Sequence, residues 1–134
     1  MLFGRRHVER YEATDGEEGH DWQGTTTLIL TTTGRKSGEP RSTPLIYQRH
    51  GDYYLVVASN GGADDPPSWY RNLEADHDVR VQVKADRFGA RARDASPEEK
   101  PAMWRTMTGA WPAYDDYQEK TEREIPVVVL EPSG

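Results

Sequence analysis

The strongest constraint on the fold is a nine-residue run of threonine, leucine and isoleucine from Thr25 to Thr33. β-Branched residues favour extended backbone, so this run predicts a strand. Residues 34–40 are mostly turn formers and charged residues, which predicts a tight loop after the strand. A second strand is expected from Arg41 to Arg49, where Pro44 indicates a sheet edge or a bulge, and a third over residues 53–58. These three strands are therefore expected to form an antiparallel meander.

The order of the remaining elements excludes a parallel doubly wound sheet, which needs a helix between each pair of strands. The patterns predict about six strands with helices inserted between some of them. The expected later elements are a helix capped by Asp65, strands over 79–84 and 88–93 around an Asp86-Arg87 turn, a helix opened by Ser96 and Glu99, a helix over 111–121 and a strand over 125–130. We expect a mainly β chain with inserted helices that forms a small antiparallel barrel.

The length of 134 residues provides material for one core. Residues 1–24 are expected to form an N-terminal helix and loop, because Val8 and Tyr11 are spaced for one helical face. This segment is too poor in apolar residues to fold alone, so we expect it to lie over the barrel mouth as a lid. Residues 25–134 then form the single barrel domain.

The charge balance excludes some functions. The chain has 17 Lys and Arg against 23 Asp and Glu, a net charge of -6, which disfavours binding to nucleic acid. It has no cysteine, and its four histidines lack the spacing of metal ligands, so no metal site is expected. The sequence has no apolar stretch long enough to span a bilayer and no signal peptide, so a cytoplasmic location and at most weak peripheral membrane contact are expected.

Three cations form a local basic cluster in this acidic chain. Arg35, Lys36 and Ser37 lie in a glycine-bounded loop, and Arg41 follows closely. Guanidinium, ammonium and hydroxyl groups bind anions, so this loop is a candidate anion site. The alternative is a solvated hairpin turn.

A second cluster follows the third strand. Ser59, Asn60 and Gly61 can bring hydroxyl and N–H donors close to a planar ring that bears carbonyl groups, and Trp69 on the next helix can supply an apolar wall. The alternative is a glycine turn beside a core tryptophan.

A third cluster consists of Trp111, Tyr114 and Tyr117, spaced at three-residue intervals as on one face of a helix. Such a stripe usually packs in a core. The two phenols can instead line a wet pocket, where each has a proton to donate.

These clusters, taken in order, resemble the deazaflavin-dependent nitroreductase family, whose members use reduced coenzyme F420 on a split β-barrel, and in particular its F420H2-dependent quinone reductases. The resemblance covers nearly all of the chain from Trp22 to Pro132. The matching stretches are LTTTGRKSG-x-PR with Pro44-Leu45, then ASNGG, then PSWY-x-NL, and finally WP-x-Y-x-x-Y with IPVV.

The resemblance implies roles for individual residues. Those implied to bind the cofactor are Arg35, Lys36 and Arg41 at its phosphate and acidic tail, and Ser59, Asn60, Trp69 and Asn72 around its ring. Ser37, Pro44 and Gly61 are also expected to bind the cofactor. Trp111, Tyr114 and Tyr117 are expected to bind the acceptor, and Tyr114 or Tyr117 to donate a proton or orient the acceptor carbonyl.

The expected function is hydride transfer from reduced F420 to an electron-poor organic acceptor, above all a quinone, with nitro compounds and enones as further acceptors. Two alternatives remain open here. One is a split-barrel oxidoreductase that binds FMN, and the other is a carrier or sensor that binds F420 without turnover. The oligomeric state is left open.

Overall fold

A computed structural model describes residues 2–133. The helices are α1 (Gly4–Ala13), α2 (Ser68–Ala75), α3 (Lys100–Ala110) and α4 (Ala113–Glu119), with one 3-10 turn at Asn60–Gly62. The strands are β1 (Asp21–Trp22), β2 (Thr25–Thr33), β3 (Pro40–Ile46), β4 (Gln48–His50), β5 (Tyr53–Val57), β6 (Asp78–Val83), β7 (Asp86–Asp94) and β8 (Val127–Pro132).

The strands form a single antiparallel sheet that curls into a half-barrel. Their order is β1-β2-β6-β7-β8-β5-β4, and β3 pairs with β2 alongside this path. The expected mainly β architecture with inserted helices is thereby confirmed. Pro44 lies on β3 opposite Ile29, and β3 pairs with no second strand among the described residues, which agrees with the edge position expected for a proline.

Two hydrophobic clusters cover the two faces of the sheet. On β8, Val128 and Leu130 belong to the first cluster with Leu28 and Val56 of the strands. Val127 and Val129 point to the second cluster, which contains the methionines and Tyr114 of α3 and α4. Because both faces of β8 are buried, its apolar run is continuous rather than alternating.

The N-terminal helix is fixed to the barrel through Tyr11. This side chain is fully buried against Ile29, its hydroxyl donates to the Thr27 carbonyl at 3.0 Å, and the hydroxyl accepts a hydrogen bond from the Lys84 N–H at 2.8 Å. The expected face with Val8 and Tyr11 is therefore buried, and α1 is joined to both β2 and the β6–β7 turn.

Proline explains two differences from the predicted helices. Asp65 does not cap α2, which begins at Ser68 after Pro66 and Pro67, because a residue that precedes proline avoids helical backbone angles. The helix expected over 111–121 begins at Ala113, since Trp111 precedes Pro112 and adopts φ -144° and ψ 86°.

Two strand predictions were also wrong in detail. The strand expected over 41–49 is divided at Tyr47, whose side chain is buried while its N–H donates to the Thr26 carbonyl. The turn expected at Asp86-Arg87 lies two residues earlier, because Lys84 adopts a positive φ of 55° and Val83 pairs with Asp86. β4 is the end of the strand expected over 41–49, and its pairing with β5 agrees with the expected meander, whereas the two-residue strand β1 was not predicted.

Candidate functional site

Two adjoining cavities are lined by residues of β3 and α2. One, of about 400 Å³, contains the cations of the β2–β3 loop, and we call it the cation cavity. The other, of about 490 Å³, is lined mainly by aromatic and aliphatic side chains, and we call it the aromatic cavity. Thr43 and Trp69 line both, so the two cavities adjoin each other.

Asn72 organises the wall of the cation cavity. Its buried amide oxygen accepts hydrogen bonds from the Arg35 backbone N–H at 3.2 Å and from the Arg35 guanidinium at 2.8 Å. Its amide nitrogen donates to the Thr32 hydroxyl at 3.2 Å. Helix α2 thus fixes both the backbone and the side chain of Arg35 at the end of β2.

The other cations of the loop differ in how firmly they are held. Ser37 accepts hydrogen bonds from the Arg41 guanidinium at 3.4 Å and from the Glu39 N–H at 3.1 Å, and Glu39 lies 3.8 Å from Arg41 as an ion pair. Lys36 is exposed and has no carboxylate partner among residues 2–133. Lys36 is therefore free to bind an anion, while Arg35 is held in place for one.

The aromatic cavity is closed on one side by residues near the start of the chain. Trp22 packs against Trp111 with ring centroids 5.9 Å apart, and Phe3 meets Trp22 edge-on at 5.7 Å. The Trp22 indole N–H donates to the Leu2 carbonyl at 2.8 Å. Phe3, His7 and Trp22 all line the cavity, so the N-terminal segment forms part of its wall.

The two phenols of α4 also line the aromatic cavity. Their rings meet edge-on with centroids 6.1 Å apart, and Tyr114 is the more buried of the two. Burial raises the pKa of Tyr114, and the neighbouring Tyr117 adds to this shift. The Tyr114 hydroxyl therefore stays protonated and can donate a hydrogen bond to a group in the cavity.

The Ser59–Gly62 segment packs closely against α4. The Arg123 guanidinium donates to the Ser59 carbonyl at 2.8 Å and to the Ala63 carbonyl at 2.8 Å. Gly62 has a φ of 86°, and a Cβ placed there would lie 2.6 Å from the Tyr117 carbonyl oxygen. Glycine at this position thus lets the segment approach α4 closely, which sets the spacing between Asn60 and the phenols.

All the residues singled out from the sequence line one of the two cavities. The cation cavity has Arg35, Lys36, Ser37, Arg41, Trp69 and Asn72, and the aromatic cavity has Pro44, Ser59, Asn60, Gly61, Trp69, Trp111, Tyr114 and Tyr117. Asn60 directs its amide N–H to the Asp65 carbonyl at 3.0 Å. Sequence reasoning treated Phe3, His7 and Trp22 only as parts of an expected lid and missed Arg123, since none belongs to a motif with an evident chemical role.

The described part of the chain has neither a candidate metal-binding cluster nor a candidate membrane-spanning helix. It contains no group of three or more histidine, aspartate or glutamate side chains placed to hold a metal ion. It also contains no helix that is both long and apolar enough to cross a bilayer.

Comparison with known proteins identifies the family. A model of the F420H(2)-dependent quinone reductase family matches residues 2–132. An F420H(2)-dependent quinone reductase of Mycobacterium tuberculosis is 42% identical over 130 residues, which cover 94% of this chain and 87% of the relative.

Solved structures agree with this match. A chain described as a domain-swapped dimer is 37% identical, with a TM-score of 0.76 over 95% of this chain and 96% of the other. A structure of an F420-H2 dependent reductase is 40% identical, with a TM-score of 0.73 over 78% of this chain and 93% of the other. The half-barrel is accordingly the split-barrel-like fold of these reductases. The chain belongs to the F420H(2)-dependent quinone reductase family.

Proposed function

We propose that this chain is a reductase that uses reduced coenzyme F420 to reduce quinones. The observation that carries the proposal is that the cation cavity adjoins the aromatic cavity, with Thr43 and Trp69 lining both. A cofactor with a flat ring and a long anionic tail requires such a pair of neighbouring environments. The name of the family and the names of the relatives support the same cofactor and acceptor.

The donor set of the cation cavity fits the phosphate and acidic tail of F420. Arg35, Lys36 and Arg41 offer three positive groups within an acidic protein, and Lys36 has no carboxylate partner among the described residues. Since Asn72 uses its amide to hold Arg35, we assign it to positioning that guanidinium at the wall of the cofactor site.

The ring of the cofactor is assigned to the zone where the cavities join. Trp69 and Pro44 supply apolar surface there, and Ser59, Asn60 and Gly61 supply polar backbone and side-chain groups. The hydrogen bond from Arg123 to the Ser59 carbonyl holds the Ser59–Gly61 segment at a fixed distance from α4. These residues would position the ring and limit the access of water to its face.

Reduced F420, when bound, supplies a hydride. The acceptor is assigned to the remaining part of the aromatic cavity, between Trp22, Trp111 and the phenols of Tyr114 and Tyr117. Because burial raises the pKa of Tyr114, its hydroxyl remains a hydrogen-bond donor that can orient the acceptor carbonyl. Nitro compounds and activated enones also carry oxygen acceptors for such a donor.

The test is to follow the loss of reduced-F420 absorbance without oxygen in the presence of quinones, nitro compounds and enones. We expect oxidation that depends on protein and is fastest with quinones. Binding of F420 without turnover on any acceptor would instead identify a carrier or sensor. Protein that is yellow as purified and retains FMN in preference to F420 would identify a flavin enzyme.

A further inference from the structure

His7 is a buried histidine in the wall of the aromatic cavity, and the proposed function leaves it without a role. Its Nε2 lies 2.9 Å from the Gly19 carbonyl oxygen and 3.2 Å from the Thr27 hydroxyl oxygen. The Thr27 hydroxyl donates its single hydrogen to the Gly19 carbonyl at 2.6 Å. Both oxygens therefore act as acceptors toward the ring, so Nε2 must carry a hydrogen.

The hydrogen on Nε2 determines what the other ring nitrogen can do. In the neutral imidazole, Nδ1 then has a free lone pair, and in the imidazolium it is a donor. Nδ1 has no hydrogen-bond partner among the described residues, although the side chain is only 2% exposed. A Cβ at Gly19 would lie 2.9 Å from Cδ2 and from Nε2, so these atoms face Gly19, and Nδ1 is on the opposite edge of the ring.

The surroundings of His7 contain few competing charges. Gly19, Thr27, Trp22 and Tyr11 lie against the ring, and of these only Tyr11 has a titratable side chain. Burial raises the pKa of Tyr11 to about 12, so that phenol stays neutral. The described residues that line the aromatic cavity include no carboxylate, and their titratable side chains are His7, Tyr114 and Tyr117.

We propose that His7 is the catalytic acid that delivers a proton from Nδ1 to an oxygen of the quinone. The proposal rests on the proposed function. Reduction of a quinone to a hydroquinone takes up one hydride and one proton, and oxidation of F420H2 gives up one of each, so a group beside the acceptor oxygen is needed to pass the proton to it. The Nδ1–H bond breaks and an O–H bond forms on the oxygen that has received the electron pair. The ring is left as the neutral Nε2–H tautomer, which water in the open cavity reprotonates.

The two kinds of group in the cavity then have different tasks. Tyr114 holds its proton more tightly than an exposed phenol because it is buried, which suits a group that orients the acceptor. His7 has an Nδ1 without a hydrogen-bond partner among the described residues and lies in the cavity wall, which suits a group that must give up a proton in each cycle. The hydrogen bonds of Nε2 keep the ring orientation fixed while Nδ1 changes its protonation state.

Two isosteric variants separate the structural nitrogen from the catalytic one. His7→Gln places an amide N–H near Nε2 and keeps a donor toward Gly19 and Thr27, but has no group in place of Nδ1. His7→Asn places an amide near Nδ1 and loses the bonds of Nε2. We expect His7→Gln to keep the thermal stability and the F420 affinity of the wild type while kcat with 1,4-naphthoquinone falls about 10²–10⁴-fold. We expect His7→Asn to unfold at a lower temperature.

A measurement on the wild-type protein makes the test independent of how the variants fold. The side-chain ¹⁵N resonances of the four histidines are recorded with oxidised F420 bound, before and after addition of 1,4-naphthohydroquinone. We expect the hydroquinone to shift the Nδ1 resonance of His7 and to leave Nε2 nearly unchanged. Assignment comes from the resonances lost in His7→Gln, or from selective labelling if that variant does not fold.

The outcomes distinguish the two proposals. If the wild type reduces 1,4-naphthoquinone and His7→Gln does so at the same rate, or if the hydroquinone leaves Nδ1 unshifted, the assignment of His7 is overturned and the proposed function stands. If the wild type reduces no quinone at all, both the proposed function and the assignment of His7 are wrong.

Discussion

At the scale of single residues, the proposed binding of the cofactor tail depends on the charges of the β2–β3 loop. Arg35 is fixed by Asn72, whereas Lys36 is exposed and unpaired among the described residues. We expect Arg35→Ala/Lys36→Ala to weaken F420 binding, and to do so more at low salt than at high salt, because ions screen exposed charge pairs. Titration of cofactor fluorescence at two salt concentrations measures both effects.

The control is Arg105→Ala, which removes one exposed cation on α3 that lines neither cavity. It should leave the F420 affinity unchanged at either salt concentration. Equal affinity of the wild type and the double variant at low salt would contradict the assignment of the loop to the anionic tail.

Tyr114 and Tyr11 are two buried tyrosines whose hydroxyls do different things. The Tyr11 hydroxyl makes two hydrogen bonds inside the protein, whereas the Tyr114 hydroxyl makes none to the described residues. We expect Tyr114→Phe to change the free energy of unfolding little and to lower quinone turnover about 2–10-fold, the effect of losing one neutral hydrogen bond to the acceptor.

Tyr11→Phe is the matched control. It should lower the free energy of unfolding by about 1–3 kcal/mol, because the Lys84 N–H loses its partner, and leave the turnover per folded molecule unchanged. Chemical unfolding and steady-state kinetics of both variants check the pair. Wild-type turnover in Tyr114→Phe would show that the Tyr114 phenol has only a packing role.

At the scale of elements, the start of α3 contains a charge pair that makes stability depend on pH. The Arg93 guanidinium binds both carboxylate oxygens of Glu99, at 2.7 and 3.0 Å, and the Ser96 N–H donates to the same carboxylate at 2.9 Å. These contacts lower the pKa of Glu99 from its usual 4.5 to about 2. The carboxylate is thus favoured in the folded state, and its contribution is present above pH 4.5 and lost as the pH falls toward 2.

We expect the free energy of unfolding of the wild type to fall over this pH window more steeply than that of Glu99→Gln. Glu98→Gln is the control, since Glu98 is exposed on the same turn and has no ion pair among residues 2–133. Urea unfolding at several pH values from 5 to 2 measures the slopes. Equal slopes for the wild type and Glu99→Gln would show that the pair does not stabilise the fold.

The same elements show which parts of the structure local sequence determines. The reciprocal hydrogen bonds of Ser96 and Glu99 were predictable, because a capping box involves residues only three positions apart. The start of α2 was predicted too early, since the effect of consecutive prolines on the preceding residues outweighed the capping tendency of Asp65. The short strand β1 forms because the neighbouring strand β2 offers it a partner, and such pairing cannot be read from two residues.

The candidate site likewise has parts that local sequence determines and parts that depend on contacts distant in the chain. The loop around Lys36 and the phenols of α4 lie in contiguous motifs, so their chemistry was visible in the sequence. The roles of His7 and Arg123 depend on contacts with residues 12 and 64 positions away, which no local pattern specifies. Their partners are backbone carbonyls of Gly19 and Ser59, and a carbonyl carries no signature of residue type.

At the scale of the whole molecule, the net charge of -6 opposes stable binding to an anionic membrane. Near the mouth of the aromatic cavity, Phe3 is 60% exposed, and Arg5 and Arg6 are exposed beside it. Burying one phenylalanine contributes at most about 3 kcal/mol, and each arginine near an anionic surface about 1 kcal/mol. Together these groups contribute about 5 kcal/mol to membrane binding. This value is an upper bound, because the acidic residues of the same segment oppose binding to an anionic surface.

That bound corresponds to a binding constant of about 10³–10⁴ M⁻¹, no stronger than the marginal anchoring given by a single myristoyl chain. Asp15 and Glu18 form ion pairs with Arg87 and Arg10, but Glu17 and Asp21 remain exposed and repel anionic lipid. We therefore expect only a small fraction of the protein to cosediment with anionic vesicles, and that fraction to decrease in Phe3→Ala and at high salt. Quantitative cosedimentation at physiological salt would contradict this balance and would require a larger apolar contact than Phe3 provides.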